Sequence, residues 1–268
     1  MRKLGFIGTG KMAGAIIGGI LSKALALPND IGVYDISFEQ TAPFADAGCH
    51  IYGSVQELIG DCQIVFFSVK PQVFPNITDA LRASAQTDTL FVSIMAGVSA
   101  ETIKQAVGFD CKVILVMPNT PLLLGQGATA LAKVEPTTQA EFDVVRELFA
   151  AAGVAEEITP TKMCEVIPVN GSSPAFVYRF AQVLINSAVN SGISKDAAKN
   201  LVIQTLIGSA HMLRDSGSNA QSLIDMVCSP GGTTLAAMKA LEENGFSHAL
   251  EEAFSACVCR AEELARGE

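Results

Sequence analysis

The chain has 268 residues, 49% hydrophobic and 17% charged, with a formal net charge of −9. That apolar content excludes a disordered chain, and the length allows one large domain or two ordinary ones. A negative balance without a long basic run excludes nucleic acid as the main partner, so any anion must be held locally by backbone N–H groups or a helix end.

The opening stretch "MRKLGFIGTG" runs into a glycine motif rather than a signal-peptide core and cleavage site. Residues 4–7 predict a strand and residues 12–26 a helix. Lys23 and three glycines interrupt residues 12–27, which excludes a membrane span there. Further strands are predicted over residues 31–34, 64–69, 90–95 and 113–117, with 128–132 and 155–158 as additional candidates. Helical patterns fill residues 55–59, 73–84, 100–107 and 139–151. Strand–helix alternation of this kind predicts an α/β domain with a doubly wound, mainly parallel sheet.

After Thr161 the strand patterns stop. Gly171-Ser172-Ser173-Pro174 reads as a hydroxyl cap followed by proline in the first helical turn. A long helix to Asn190, closed by Gly192, follows. Ser194 caps another, running to about Asp215 and closed by Gly217. A short helix over 223–227, a loop "SPGGTT", a helix over 235–243 stopped at Gly245, and a last helix capped by Ser247 and running to Arg266 complete the chain. The organisation is therefore residues 1–161, nucleotide-binding, and residues 162–268, all-α. The mean hydropathy of +0.36 predicts that part of the apolar surface closes a subunit interface.

Seven cysteines are scattered in a pattern that matches neither a disulfide framework nor a metal site; even Cys257 and Cys259 lack a second cluster. This usage suits reduced thiols and a cytoplasmic protein. None of the three histidines, His50, His211 and His248, sits in a catalytic motif, so all are assigned to structure or surface.

Gly8-Thr9-Gly10-Lys11-Met12-Ala13 forms a G-x-G-x-x-A dinucleotide fingerprint between the first strand and first helix. Gly8 permits the tight turn, Gly10 lets a pyrophosphate approach the backbone, and Ala13 keeps the helix close to the sheet. Asp35 ends the second strand, where a carboxylate accepts hydrogen bonds from the adenosine ribose and repels a 2′-phosphate. No Lys or Arg follows in residues 36–40, which favours NADH over NADPH. Val69-Lys70-Pro71 and Ala96-Gly97 end further strands at the same crevice, Gly97 leaving room for the nucleotide. Asn119 and Thr120, stiffened by two flanking prolines, suit the nicotinamide edge.

In "SPGGTT", adjacent glycines before a helix let N–H groups converge, the helix dipole favours an anion, and Ser229, Thr233 and Thr234 add hydroxyls. The loop is a candidate cradle for a carboxylate or phosphate.

The segments "IGTGKMAGAI", "FFSVKPQ", "IMAGVS", "MPNTP", "NGSSPAFVY" and "LIDMVCSPGGTT", followed by "LEENGF", together resemble pyrroline-5-carboxylate reductase over essentially the whole chain. The resemblance implies an N-terminal Rossmann domain and an all-α C-terminal dimerisation domain, with dimers or multiples of dimers. It implies NAD(P)H-dependent reduction of (S)-1-pyrroline-5-carboxylate to L-proline, by hydride transfer to a protonated cyclic imine. By motif match, Ser229, Gly231, Gly232, Thr233 and Thr234 hold the substrate carboxylate, and the Thr234 hydroxyl approaches the ring nitrogen. Gly8, Gly10, Lys11, Met12, Val69, Lys70, Pro71, Ala96 and Gly97 touch the cofactor, to which the fingerprint adds Thr9.

The chain departs from the family pattern at Leu115, where many members carry arginine, at Asp35, at Cys164-Glu165 and in "SGSNAQSL". Two rivals remain: a β-hydroxyacid dehydrogenase and a non-enzymatic NAD(P) sensor. Ketone reduction by the first needs a proton donor, usually lysine, yet residues 171–192 contain no lysine and one arginine, Arg179. The second would not need the "SPGGTT" cradle.

Overall fold

The computed structural model describes residues 2–266. Its strands, in chain order, are β1 (Arg2–Ile7), β2 (Ile31–Tyr34), β3 (His50–Ile51), β4 (Cys62–Phe67), β5 (Leu90–Ser93), β6 (Lys112–Met117), β7 (Gly127–Val134) and β8 (Gly153–Glu157). The interleaved helices are α1 (Lys11–Ser22), α2 (Phe38–Asp46), α3 (Val55–Asp61), α4 (Thr78–Ser84), α5 (Ala100–Val107) and α6 (Gln139–Ala150). The strands form one sheet in the order β3-β2-β1-β4-β5-β6-β7-β8. All neighbours are parallel except β6 and β7, which are antiparallel. The chain moves outward from β1 to β3, then restarts at β4 on the other side of β1. The switch point, where α/β sheets take their ligands, is therefore the gap beyond the carboxyl ends of β1 and β4.

Both sheet faces are covered, so the central strands are apolar at successive positions rather than alternately. Phe6 and Phe66, paired across β1 and β4, stack at 4.3 Å and lie on the face covered by Ile16, Ile17 and Ile20 of α1 and Phe142 and Phe149 of α6. Their neighbours Ile7 and Phe67 point the other way, where Phe67 stacks on Phe91 at 5.4 Å beneath Leu58, Leu81 and Ile103. Each buried phenylalanine contributes about 1.5–3 kcal/mol of transfer free energy.

Several elements differ from the sequence expectation. The helix expected to reach residue 26 stops at Ser22, because Ala24 turns to φ +53 and Leu25 N–H returns to the Ile20 carbonyl. Residues 71–77 form 3₁₀ turns rather than part of an α-helix, since Pro71 and Pro75 lack the N–H an α-turn requires. Ser247 is not a cap: the last helix starts one residue earlier and the Ser247 hydroxyl bonds Glu242.

The remaining helices are α7 (Ser173–Asn190), α8 (Lys195–Asp215), α9 (Ala220–Val227), α10 (Thr233–Glu243) and α11 (Phe246–Arg266). The chain divides into two compact units, residues 1–172 with 257–268, and residues 173–256. By compactness the first unit runs to Ser172 and takes in the end of α11. The physical reason is Asn170. This buried side chain donates to the Met117 carbonyl at 2.7 Å and the Ala128 carbonyl at 2.8 Å, tying residues 160–172 to β6 and β7.

The two units differ sharply in burial. Among the described residues of the helical unit only Ala198 is buried. Phe180, Leu184, Leu201, Ile207, Leu213 and Met226 are each more than 40% exposed. Helices of this composition cannot offset the entropy of ordering about 84 residues with so little burial. A second surface must cover them. The thermal midpoint of this unit is therefore expected to rise with protein concentration over a hundredfold range, as mass action requires; a midpoint independent of concentration would contradict the reading.

In the sheet unit, Thr137 is 1% exposed and closes the start of β6, accepting from Val113 N–H at 2.9 Å and donating to its carbonyl at 3.1 Å. Thr137→Val keeps the shape and strands both backbone groups. It should cost about 1–3 kcal/mol in urea unfolding, the range for an unpaired buried polar group.

Candidate active site

At the switch point, Gly8 adopts φ +93 and its N–H bonds the Tyr34 carbonyl at 2.8 Å. A Cβ here would lie 2.8 Å from the Ser68 carbonyl oxygen, so only glycine allows β1 to turn this close to the end of β4. Gly10 is the N-cap of α1 and offers no side-chain cap, and the first turn carries no acidic residue. A Cβ on Gly10 would meet nothing within 4 Å. The space over Gly10, beside the N–H groups of Lys11 and Met12 that head α1, is thus clear of protein atoms, as a pyrophosphate requires. The Ser68 hydroxyl is buried without a protein partner beside this turn. These features fit a dinucleotide. Val69 packs at the Gly8 turn, while Lys70 is exposed and Pro71 begins the 3₁₀ segment.

Asp35 follows β2, half-buried. Its Oδ2 accepts from Thr9 N–H at 2.8 Å and Thr9 Oγ1 at 3.1 Å, and its Oδ1 from Ser37 N–H at 3.0 Å. The carboxylate expected to face a ribose is thus also tied to the glycine loop.

The Ala96–Gly97 turn follows β5. Ala96 is exposed, but the space over Gly97 is filled: a Cβ would lie 2.9 Å from Leu264 Cβ on α11. Gly97, at φ +75, therefore makes room for the returning helix. Asn119 follows β6 and is 7% exposed, and its Oδ1 accepts from Ala128 N–H at 2.9 Å. It props the start of β7 rather than presenting that carbonyl to a ligand. Asn170 completes the same junction, with its Oδ1 buried and unpartnered. In sequence, "NGSSP" reads as a helix cap alone. The one signal for Asn170 is an amide directly after an apolar run and next to glycine, too weak to name a partner 53 residues away.

In the helical unit, "SPGGTT" resolves into two devices. Ser229-Pro230-Gly231-Gly232 closes with Gly232 N–H donating to the Ser229 carbonyl at 2.9 Å, with φ +70 at Gly231. Proline second and a left-handed glycine third are the requirements of a type II turn. The Gly232 N–H, expected to face the substrate, is therefore engaged within the loop. Gly232 is also the N-cap of α10, again without a side-chain cap or an acidic first turn. Helix α10 starts at Thr233, earlier than periodicity indicated, so the N–H groups of Thr233 and Thr234 head it. The Ser229 Oγ sits so close to Gly232 that any Cβ would collide with it, placing the hydroxyl by the head of α10. Thr234 is half-buried and lines a groove with Met212, Ile224, Cys228 and Met238.

Cys164, in the departing Cys164-Glu165 stretch, is half-buried; burial, then the charges of Glu262 and Glu165, push its thiol up, which keeps it neutral. His50 lies on β3 against Tyr52, while His211 and His248 are exposed on α8 and α11.

The family described as pyrroline-5-carboxylate reductase dimerisation matches residues 160–264, and the family described as NADP oxidoreductase, coenzyme F420-dependent, matches residues 3–97. Pyrroline-5-carboxylate reductase from Escherichia coli (strain K12) is 37% identical over 266 residues, covering 99% of both chains. Pyrroline-5-carboxylate reductase 3 from Macaca fascicularis is 32% identical over 265 residues, covering 99% of this chain and 97% of that one. Among solved structures, Plasmodium falciparum pyrroline carboxylate reductase with NADP bound superposes with a TM-score of 0.89 at 30% identity over 98% of each chain. The Streptococcus pyogenes enzyme gives 0.87 at 31% identity, covering 97% of this chain and 98% of that one. Similarity that spans both units, and a dimerisation region that coincides with the coreless helices, show that the chain belongs to the pyrroline-5-carboxylate reductase family.

Proposed function

We propose that the chain reduces (S)-1-pyrroline-5-carboxylate to L-proline with NADH preferred over NADPH, as a dimer or a multiple of dimers. The observation that carries this reading is the head of α10. It offers N–H donors, a convergent Ser229 hydroxyl and a glycine in place of a cap, a set matched to one small carboxylate. A Rossmann fingerprint alone would serve many dehydrogenases.

Thr233 N–H, Thr234 N–H and the Ser229 hydroxyl hold the substrate carboxylate, and the turn fixes their spacing. The Thr234 hydroxyl lies at the ring nitrogen and orients the C=N bond. Bound NAD(P)H supplies the hydride. The imine is basic enough to take its proton from solvent, and the resulting iminium is already electrophilic, so the protein contributes orientation rather than a strong acid. The absence of lysine from α7, whose one cationic side chain is Arg179, fits imine rather than ketone reduction.

The cofactor preference rests on Asp35, whose carboxylate repels a 2′-phosphate with no Lys or Arg in residues 36–40 to offset it. Self-association rests on the exposed apolar faces of α7 to α10. No helix among the described residues is long and apolar enough to cross a membrane.

Steady-state assays with pyrroline-5-carboxylate should show NADH oxidation with a kcat/KM above that for NADPH. Absence of turnover with either would overturn the enzyme assignment, and equal or better efficiency with NADPH would overturn the preference. Thr234→Val should lower kcat by at least about tenfold, as for loss of one positioned donor, while Ser229→Ala should chiefly raise KM for the imine.

A further inference from the structure

We propose that Thr9 is a positioning residue that clamps Asp35, not a ligand of the cofactor phosphates, and that the clamp makes the shape of the glycine loop depend on the same carboxylate that selects the cofactor. This rests on the reading that the β1–α1 crevice takes NAD(P)H.

Donor accounting carries the inference. A threonine has two donors, its backbone N–H and its hydroxyl hydrogen. Both point at one atom, Asp35 Oδ2, at 2.8 and 3.1 Å, and Thr9 is 5% exposed. A phosphate can only accept, so Thr9 has no donor left for it. Lys11 and Met12, heading α1, keep theirs.

Acceptor accounting gives the second half. A carboxylate offers about four lone-pair positions. Thr9 takes both on Oδ2, and Ser37 N–H takes one on Oδ1 at 3.0 Å. One acceptor position remains, so Asp35 can receive one ribose hydroxyl and not two. The adjacent bond from Gly8 N–H to the Tyr34 carbonyl, 2.8 Å, means that consecutive residues of the glycine loop are tied to consecutive residues at the end of β2. Neutralising Asp35 therefore does two things at once. It removes the charge that repels a 2′-phosphate, and it releases the second of these ties. An amide at position 35 can accept from only one side, and its NH₂ must then face a Thr9 or a Ser37 donor.

The test is a double-mutant cycle read by direct binding. NADH and NADPH dissociation constants are measured by fluorescence titration of the intact, substrate-free protein for Thr9→Val, Asp35→Asn, the double variant and Thr9→Ser, with thermal midpoints recorded for each. Thr9→Val should weaken NADH about tenfold, consistent with losing a hydrogen bond to a charged acceptor. The same change made on top of Asp35→Asn should alter affinity less than about twofold. Asp35→Asn should weaken NADH without bringing NADPH to the native NADH affinity. Thr9→Ser, which retains both donors, should bind like the native chain.

Equal loss from Thr9→Val in both backgrounds would show direct contact with the cofactor and overturn the proposal. So would tight NADPH binding by Asp35→Asn, which would reduce Asp35 to a charge filter, or unchanged NADH affinity in Thr9→Val. A native chain that binds neither dinucleotide would instead remove the reading on which the proposal rests.

Discussion

The first N–H groups of any helix have no acceptor within it, and proteins must supply one. In this chain α3, α5, α6, α8 and α9 meet that demand with Ser54, Ser99, Thr138, Ser194 and Asn219, each accepting through its side chain. Helices α1 and α10 do not: each starts at a glycine with no side-chain cap and no acidic residue in its first turn. A capping side chain is typically worth about 1 kcal/mol, so its omission costs stability unless a ligand fills the place. On the proposed function, the glycine starts of α1 and α10 are the places that would receive the cofactor pyrophosphate and the substrate carboxylate. Fold and chemistry meet in that one constraint.

A similar dependence on something outside the element shapes the helical unit. An ordinary domain of its length buries a core of its own, but here Ala198 is the one buried residue among those described. The helices are amphipathic without an inside. Membership in a family whose matched region is described as a dimerisation region supplies the missing surface: another copy of the chain.

Much of this was legible in the sequence because it depends on local chemistry. A fingerprint such as Gly8 to Ala13 states its own geometry, since a turn at φ +93 and a close approach to Ser68 admit no other residue. The Pro-Gly pair likewise encodes the type II turn before α10. What escaped was set by partners distant along the chain. Strand β3 is two residues long and exists through pairing with Gly32 and Val33. The reversed direction of β7 leaves no mark, because a buried apolar run reads the same either way. Asn170 reaches across 53 and 42 residues to its two carbonyls. The occupation of the space over Gly97 by Leu264 could not be read from a glycine whose left-handed φ suits a turn equally well. In each case the local signal was ambiguous or silent, and tertiary contact chose.

On the proposed function, a chain of net charge −9 must bind two anions against an unfavourable long-range field. At physiological ionic strength that field is screened over about 8 Å, so distant carboxylates matter little and the nearest dipoles decide. Backbone N–H groups at a helix head are fixed in direction and carry partial rather than full charges, so they need no neutralising partner when empty. An arginine in the same place would need a counter-ion to remain buried without ligand. Uncharged donors at both proposed sites would let the acidic surface and the anion sites coexist. They also make affinity depend on loop shape, which a tie such as Thr9 to Asp35 helps to fix.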